Sequence, residues 1–243
     1  MSAPLAGSLV DQAVRRIRDH IRDCDLKVGD TLPGEGQFAA DLGVSRAVMR
    51  EAFGALAALR VIDVGNGRKA RVGAMDGSVM ASSIDHAVAT AQITTGEVWD
   101  VRRTLELRTA ALAAENRSDA DARTIADHAR QMALIGDDLD QLIGHDIAFH
   151  QAIAQAGGNA LFHQIVRSFE QLMRIAVPTA WRTRETLDQR EAVFNVHRNL
   201  AGAIADRDAG AAEDLMAAHF DTSISDIFRA EPKVRDGGRL IRR

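Results

Sequence analysis

The alternation of apolar and polar residues predicts two short helices joined by a tight turn in the first quarter of the chain. Phe38, Ala39 and Leu42 form an apolar set that ends at Gly43, where a left-handed backbone can stop a helix. Ser45 then supplies an N-cap oxygen for the next helix. That second helix is predicted to bury one face, formed by Val48, Met49, Ala52, Phe53 and Leu56. This arrangement is typical of a helix-turn-helix.

The opposite face of the second helix carries candidate DNA-binding residues. Arg46, Ala47 and Arg50 remain exposed there, beside Ser45 at the helix start. Arginine can bind guanine edges or phosphates, and the small Ala47 permits close approach. Two short strands, 61–64 and 70–72, are predicted next, around an Asn-Gly turn that favours a hairpin. The tip of this predicted wing provides further candidate DNA contacts: Asn66, Gly67, Arg68 and Lys69.

The rest of the hydrophobic pattern predicts helices alone. A connecting stretch, residues 76–96, contains one predicted helix at 79–90. Glycine, asparagine and proline, including Pro178, separate the helices predicted beyond it, at 97–116, 119–135, 137–156, 159–177, 184–206 and 208–229. We therefore expect a mainly α chain: a winged helix-turn-helix over 1–75, then an all-α antiparallel bundle over 97–229. Residues 230–243 are predicted to form a basic flexible tail.

Composition fits this division. The 243 residues are 46% hydrophobic, enough for two ordinary domains. Residues 1–75 hold 11 Lys/Arg against 9 Asp/Glu, which leaves 19 against 25 in the remainder and places the basic groups with the helix-turn-helix. The single cysteine, Cys24, is predicted to be a buried, inert thiol on an amphipathic helix. With no signal-like or membrane-spanning segment in the sequence, we expect a cytoplasmic protein.

Polar residues interrupt the apolar faces of three predicted bundle helices. Asp146 and His150 lie one turn apart on an apolar stripe, and His197 and His219 occupy similar positions on the last two helices. Taken singly, a histidine on such a face is more often a core residue with a satisfied hydrogen bond. Together the four residues offer nitrogen and oxygen ligands for one divalent ion. His145 would replace a ligand if the helical phase were shifted by one residue.

Residues 8–73 resemble the winged helix-turn-helix of the GntR superfamily. The resemblance rests on three motifs: Gly-x-x-Leu-Pro-x-Glu at 29–35, Leu-Gly-Val-Ser-Arg at 42–46 and Arg-Glu-Ala at 50–52. The family often has an arginine that contacts DNA directly after the Glu of its first motif. Gly36 stands at that position here, so one expected contact is missing.

The bundle resembles the FCD domain of the FadR-type branch of these regulators. The shared pattern is Glu97 with Arg102, then Asp146-x-x-x-His150, then His197 and His219. This resemblance implies a divalent metal ion, most simply zinc, with manganese or nickel as alternatives. It also implies a small carboxylate effector, a hydroxy acid or sugar acid, that Arg102 contacts. A salt bridge from Arg102 to Glu106 or Asp146 is the alternative for that side chain.

We therefore predict a homodimeric transcription regulator, most simply a repressor. It would bind a palindromic double-stranded operator and be released by an acid chelated at the metal. A metal-dependent hydrolase or isomerase is the alternative, although no acid, base or nucleophile is obviously placed beside the predicted ligands. A structural DNA-bridging protein is a third possibility, but it would not need the buried ligand set.

Overall fold

The computed structural model describes residues 7–135 and 138–230, with side chains through residue 222. The chain forms two compact units that divide between Val79 and Met80. None of the helices in this described part combines the length and apolar character needed to cross a membrane.

The first unit is a winged helix-turn-helix. Its elements are α1 (Leu9–Asp23), α2 (Glu35–Leu42), α3 (Arg46–Ala58), β1 (Ile62–Gly65) and β2 (Arg68–Val72). Gly43 ends α2 with a φ of 69°, and the Ser45 hydroxyl accepts a 3.2 Å hydrogen bond from the Val48 amide at the start of α3. Both local predictions are therefore confirmed. The core includes the buried side chains of Ile17, Leu32, Phe38, Met49, Phe53 and Leu56.

The wing is an antiparallel pair whose turn contains Gly67 at a φ of 72°. An isolated bridge between Thr31 and Arg71 adds a short third segment beside β2. The predicted burial of Cys24 is wrong: the thiol is exposed. Helix α1 ends at Asp23, so Cys24 leaves the apolar stripe as the C-cap residue, and Leu26 packs against the core instead.

The second unit is an α-helical bundle. Helix α4 (Ser78–Ala89) crosses the division between the units. The bundle helices follow: α5 (Thr95–Asn116), α6 (Asp119–Leu134), α7 (Leu139–Ala156), α8 (Ala160–Ser168), α9 (Glu170–Arg182), α10 (Leu187–Ala205) and α11 (Ala209–Ala230). Helix α5 packs mainly on α11, while α6 packs on α7 and α10. Capping boxes start α5, α6 and α10, and Glu97 is the acidic partner of Thr94 in the first of them.

The structure corrects two predicted helix ends. The helix predicted over 159–177 is divided at Phe169, whose amide bonds Val166 three residues back while the Ser168 hydroxyl donates to the Ile165 carbonyl. This tight turn buries the Phe169 ring in the bundle. Pro178 does not end a helix but lies inside α9, which continues to Arg182. Of the predicted tail, residues 231–243 lie outside the described residues.

Candidate functional site

Helices α7, α10 and α11 bring three histidines together inside the bundle. One ring nitrogen from each of His150, His197 and His219 lies within 4.8 Å of the other two. The side chains of His150 and His197 are almost fully buried. Their helices place them there because each histidine takes an inward position among apolar neighbours, such as Ile153 on α7 and Leu200 on α10.

The hydrogen bonds of His197 assign its two nitrogens different roles. Nδ1 lies 2.8 Å from the carbonyl oxygen of Val193, an acceptor, so Nδ1 carries a proton. In the neutral ring, Nε2 then presents a lone pair, yet Nε2 lies 3.2 Å from Oδ1 of Asp146, which is also an acceptor. Two lone pairs at this separation repel unless a proton or a cation lies between them. The pair of atoms therefore has the chemistry of two ligands facing one positive centre.

His150 has a matching arrangement with a residue whose role the sequence left open. Its Nδ1 lies 2.5 Å from Oε2 of Glu106, a buried carboxylate on α5. A carboxylate on one imidazole nitrogen fixes the tautomer and leaves the other nitrogen as a ligand. The sequence indicated Glu106 only as a possible partner of Arg102. No local sequence pattern indicates its contact with His150, because the two residues lie on different helices.

Arg102 makes the ion pair that the sequence offered as the alternative to effector binding. Its Nε and Nη2 atoms both lie 2.8 Å from Oε1 of Glu106, and Nη1 contacts the sulfur of Met173. The guanidinium also lies over the rings of Trp99, at 4.7 Å, and Phe220, at 5.2 Å. Arg102 is thus a buried cation held between a carboxylate and aromatic faces, next to the histidines.

Burial and neighbouring groups set the charge states of this cluster. Burial alone would raise the pKa of Glu106, but Arg102 and His150 outweigh it and hold the pKa below its ordinary value. Burial opposes ionisation of Asp146 as well, yet the neighbouring imidazoles of His197, His150 and His219 hold the pKa of this carboxyl far below its usual range. Burial, followed by His197 and His150, lowers the pKa of His219 well below 6.5. Ionised carboxylates and a neutral imidazole are the protonation states that bind metal.

The remaining histidine considered in the sequence lies elsewhere. Nδ1 of His145 is 3.0 Å from Nδ1 of His128 on α6, so His145 faces a different helix from His150. The shift of one residue that would make His145 a ligand therefore does not occur, and Asp146 and His150 point towards α10 and α11.

A small cavity of about 40 Å³ lies beside the three histidines. Arg184, from the turn between α9 and α10, lines it and is buried, although sequence reasoning did not identify this residue. The full lining consists of Trp99, Arg102, Asp146, His150, Met173, Val177, Ala180, Arg184, Val193, His197, His219 and Phe220.

The candidate DNA-binding residues are exposed on the first unit. On α3 and at its start these are Ser45, Arg46, Ala47 and Arg50, and on the wing they are Asn66, Gly67, Arg68 and Lys69. Arg50 lies 3.6 Å from the Glu35 carboxylate, and Arg68 donates to Asp63 at 2.8 Å. Because these pairs are solvent-exposed, they are weak and can be exchanged for phosphate contacts. A Cβ atom added to Gly36 would lie 3.8 Å from the Arg46 guanidinium, so Arg46 lies beside the site of the missing family arginine.

Comparison with known proteins agrees with this architecture. Residues 9–72 match the family of bacterial regulatory proteins called gntR, and residues 97–222 match the FCD domain. The chain is 28% identical to the HTH-type transcriptional regulator LutR of Bacillus subtilis over 212 residues, which cover 86% of this chain and 95% of LutR. It is also 28% identical to the Glc operon transcriptional activator of Escherichia coli over 240 residues, 96% of this chain and 92% of the activator.

A solved structure shows the same fold. The Streptococcus agalactiae GntR protein superposes with a TM-score of 0.68 at 23% identity, covering 89% of this chain and 99% of that one. Both family matches follow the order of the two units along the chain. Regulators of this kind are not enzymes, so the alternative of a metal-dependent hydrolase or isomerase is wrong. The chain belongs to the gntR family of bacterial regulatory proteins and is a DNA-binding transcription regulator with an FCD domain.

Proposed function

We propose that this regulator is a homodimeric repressor that senses a small organic acid through a bound divalent metal ion. Asp146, His150, His197 and His219 would hold the ion, with zinc as the first candidate and manganese or nickel as alternatives. The acid would be a hydroxy acid or a sugar acid. Its binding would release the protein from a palindromic operator.

The metal proposal rests on the contacts that Nδ1 makes in two of the histidines. Nδ1 of His197 is satisfied by the Val193 carbonyl and Nδ1 of His150 faces the Glu106 carboxylate. Protein acceptors on the outer nitrogens are the usual support of metal-bound imidazoles. The lone-pair conflict between His197 and Asp146 is relieved when both atoms bind one cation.

The bound ion would supply open coordination positions for oxygen donors of the acid. Three imidazoles and one carboxylate leave two positions on an octahedral ion, which suits a carboxylate with an adjacent hydroxyl. The cavity beside the histidines would receive such an acid, with Val177 and Ala180 contributing apolar wall next to the charged groups. Arg102 adds positive charge at the cavity wall, although its ion pair with Glu106 makes it first a support for His150.

The proposed dimer follows from the modest charge of the DNA-binding unit. Residues 1–75 carry a formal excess of only two positive charges, so one unit alone would bind DNA weakly. Two units on a palindrome double the phosphate and base contacts. In this proposal Arg46 and Arg50 contact base edges, while Arg68 and Lys69 bind phosphates.

Elemental analysis of the gently purified protein tests the metal site. We expect about one ion per chain, lost in His150→Ala and retained in His163→Ala, a matched control on α8 outside the cluster. Metal added to the stripped protein should raise its melting temperature, because the ion binds only the folded state. A fully folded protein with no metal, and no thermal shift with zinc, manganese or nickel, would refute this part.

Operator release tests the sensing mechanism. A footprinted palindrome should be occupied by metal-loaded protein, and lactate, glycolate, gluconate or galactonate should be screened for release. The active acid should lose its effect after chelation of the metal. By linkage, that acid must also bind the DNA complex less tightly than the free protein. An acid that binds equally well to stripped protein, or tightly without changing DNA affinity, would contradict the mechanism.

A further inference from the structure

Trp99 brings a buried hydrogen-bond donor to the cavity beside the histidines. The residue lies on α5, three positions before Arg102, and lines the cavity while only 5% exposed. Its indole Nε1 atom is buried and has no hydrogen-bond partner among the described residues. An indole nitrogen donates one hydrogen bond and accepts none, so only an acceptor atom can satisfy it. Native proteins seldom leave such a buried donor unsatisfied, because the lost hydrogen bond to water is not replaced.

The packing of the ring limits where this donor can point. The Arg102 guanidinium lies over the face of the indole, 4.7 Å from the ring centroid. The Phe220 ring packs against the indole at 64°, with centroids 6.4 Å apart. Arg102 and Phe220 also line the cavity. The indole is therefore held between neighbours on α5 and α11 and has little freedom to turn its N–H towards another acceptor.

The cation beside the ring already has partners. Arg102 directs Nε and Nη2 at Glu106 and Nη1 at the sulfur of Met173. All three of its nitrogens thus face protein atoms. A ligand that enters the cavity would have to displace Glu106 or Met173 to bind Arg102, whereas the donor of Trp99 needs no such exchange.

A 2-hydroxy acid chelated at the metal has the matching requirement. Such an acid would bind the ion through its hydroxyl and one carboxylate oxygen. The second carboxylate oxygen keeps negative charge and needs a donor once it is removed from water. Because the cavity has a volume of only about 40 Å³, an acid that fills it contacts the residues of its wall. The acid lacks a donor for this oxygen, and Trp99 lacks an acceptor.

We propose that Nε1 of Trp99 donates a hydrogen bond to the carboxylate oxygen of the effector that the metal does not bind. This inference rests on the proposed function, because the hydroxyl and the other carboxylate oxygen are those chelated at the metal. Trp99 then fixes the orientation of the carboxylate, while the ion supplies the chelation.

The chain has two tryptophans, which allows a direct test by NMR. In the zinc-loaded full chain with ¹⁵N-labelled indoles, Trp181→Phe assigns the remaining indole signal to Trp99. Lactate, glycolate, gluconate and galactonate are then titrated in turn. The acid that binds should move the proton signal of Trp99 to lower field, because a hydrogen bond to a charged oxygen deshields the proton. In the wild type the Trp181 signal should stay in place, since Trp181 is not one of the described cavity-lining residues.

Titration calorimetry with the same acids measures what the hydrogen bond contributes. Trp99→Phe keeps an aromatic face beside Arg102 but removes the donor. We expect the affinity for the acid to fall about tenfold or more, as for a hydrogen bond to a charged group, while zinc affinity stays at the wild-type value. Trp181→Phe makes the same chemical change at the other tryptophan and should bind the acid as the wild type does.

Each result decides between outcomes. An acid that binds without moving the Trp99 signal, or that binds Trp99→Phe with wild-type affinity, would overturn the role of Trp99 while leaving metal-dependent sensing intact. A loss of zinc from Trp99→Phe, or an equal loss of acid affinity in Trp181→Phe, would show a structural role instead. If Trp99→Phe does not fold, the NMR titration still decides the question. If none of the four acids binds the zinc-loaded protein, the proposed function and this inference both fail.

Discussion

Replacing Glu106 by glutamine tests the link between the ion pair in the bundle and the metal site. The substitution keeps the shape of the side chain but removes its charge. Because Glu106 is 1% exposed and Arg102 is 4% exposed, it leaves a buried cation without its counter-charge. Removing one partner of a buried ion pair costs about 3–5 kcal/mol. Because a glutamine carbonyl can still accept one hydrogen bond from Arg102, we expect about 3 kcal/mol, at the lower end of that range.

The same substitution should also weaken the binding of the metal ion. Nδ1 of His150 faces the carboxylate that would be lost, and that carboxylate fixes the ring and strengthens its other nitrogen as a ligand. Loss of such a supporting group typically lowers metal affinity about 10- to 100-fold. Stability and metal affinity should therefore fall together, although Glu106 is not itself a predicted ligand.

Urea unfolding of the metal-free protein and a competitive zinc titration measure the two effects. Glu115→Gln is the matched control on the same helix, since Glu115 and Arg108 are 3.9 Å apart with about half of each side chain exposed. That exposed pair should contribute less than about 1 kcal/mol, and its loss should not change zinc affinity. If Glu106→Gln unfolds at the wild-type urea concentration, or binds zinc as tightly as the wild type, the reasoning is wrong.

Three further outcomes are expected. Arg50→Ala should cost about 1–3 kcal/mol of operator affinity in gel-shift titrations and relax sequence preference, whereas Lys69→Ala should weaken all sequences alike. Gly36→Arg should restore a phosphate contact beside Arg46, seen as a slope steeper by about 0.9 in log affinity against log salt. The pKa of His219 is depressed in the folded state, so the unfolded chain binds more protons below its ordinary value of 6.5. The stability of the metal-free protein should therefore decline as the pH falls below that value in thermal scans, and less so in His219→Gln.

The DNA-binding unit was predictable because its signals are local. Gly43 and Ser45 specify the turn and the cap within a few residues, and the Asn66-Gly67 step specifies the hairpin. Elsewhere, packing between distant parts of the chain overrides the local sequence signals. Pro178 removes one hydrogen bond donor from α9, yet the helix continues through it while Met173 and Ala180 on either side pack into the bundle core.

Some residues of the candidate site were likewise predictable from local sequence signals, and others were not. The inward positions of Asp146 and His150 follow from their four-residue spacing on one helix stripe, and the structure places both beside His197. Glu106 could not be assigned to His150, because these residues are distant in sequence and meet only after α5 packs on α7. Arg184 lies in a turn, where no periodic pattern marks a residue as buried or cavity-lining.

Helix α4 bears on the proposed coupling of effector binding to DNA binding. It has 12 residues, and none of them is buried. An isolated helix of this length is marginal in water, and packing supports α4 only through side chains that are partly buried. Unwinding would lengthen the segment from about 18 Å to about 40 Å. A change of only about 1.4 kcal/mol alters the ratio of the two forms tenfold, within the range of a typical allosteric coupling. If an effector binds the second unit as proposed, this stretch at the start of that unit is one whose length a small change in free energy would alter.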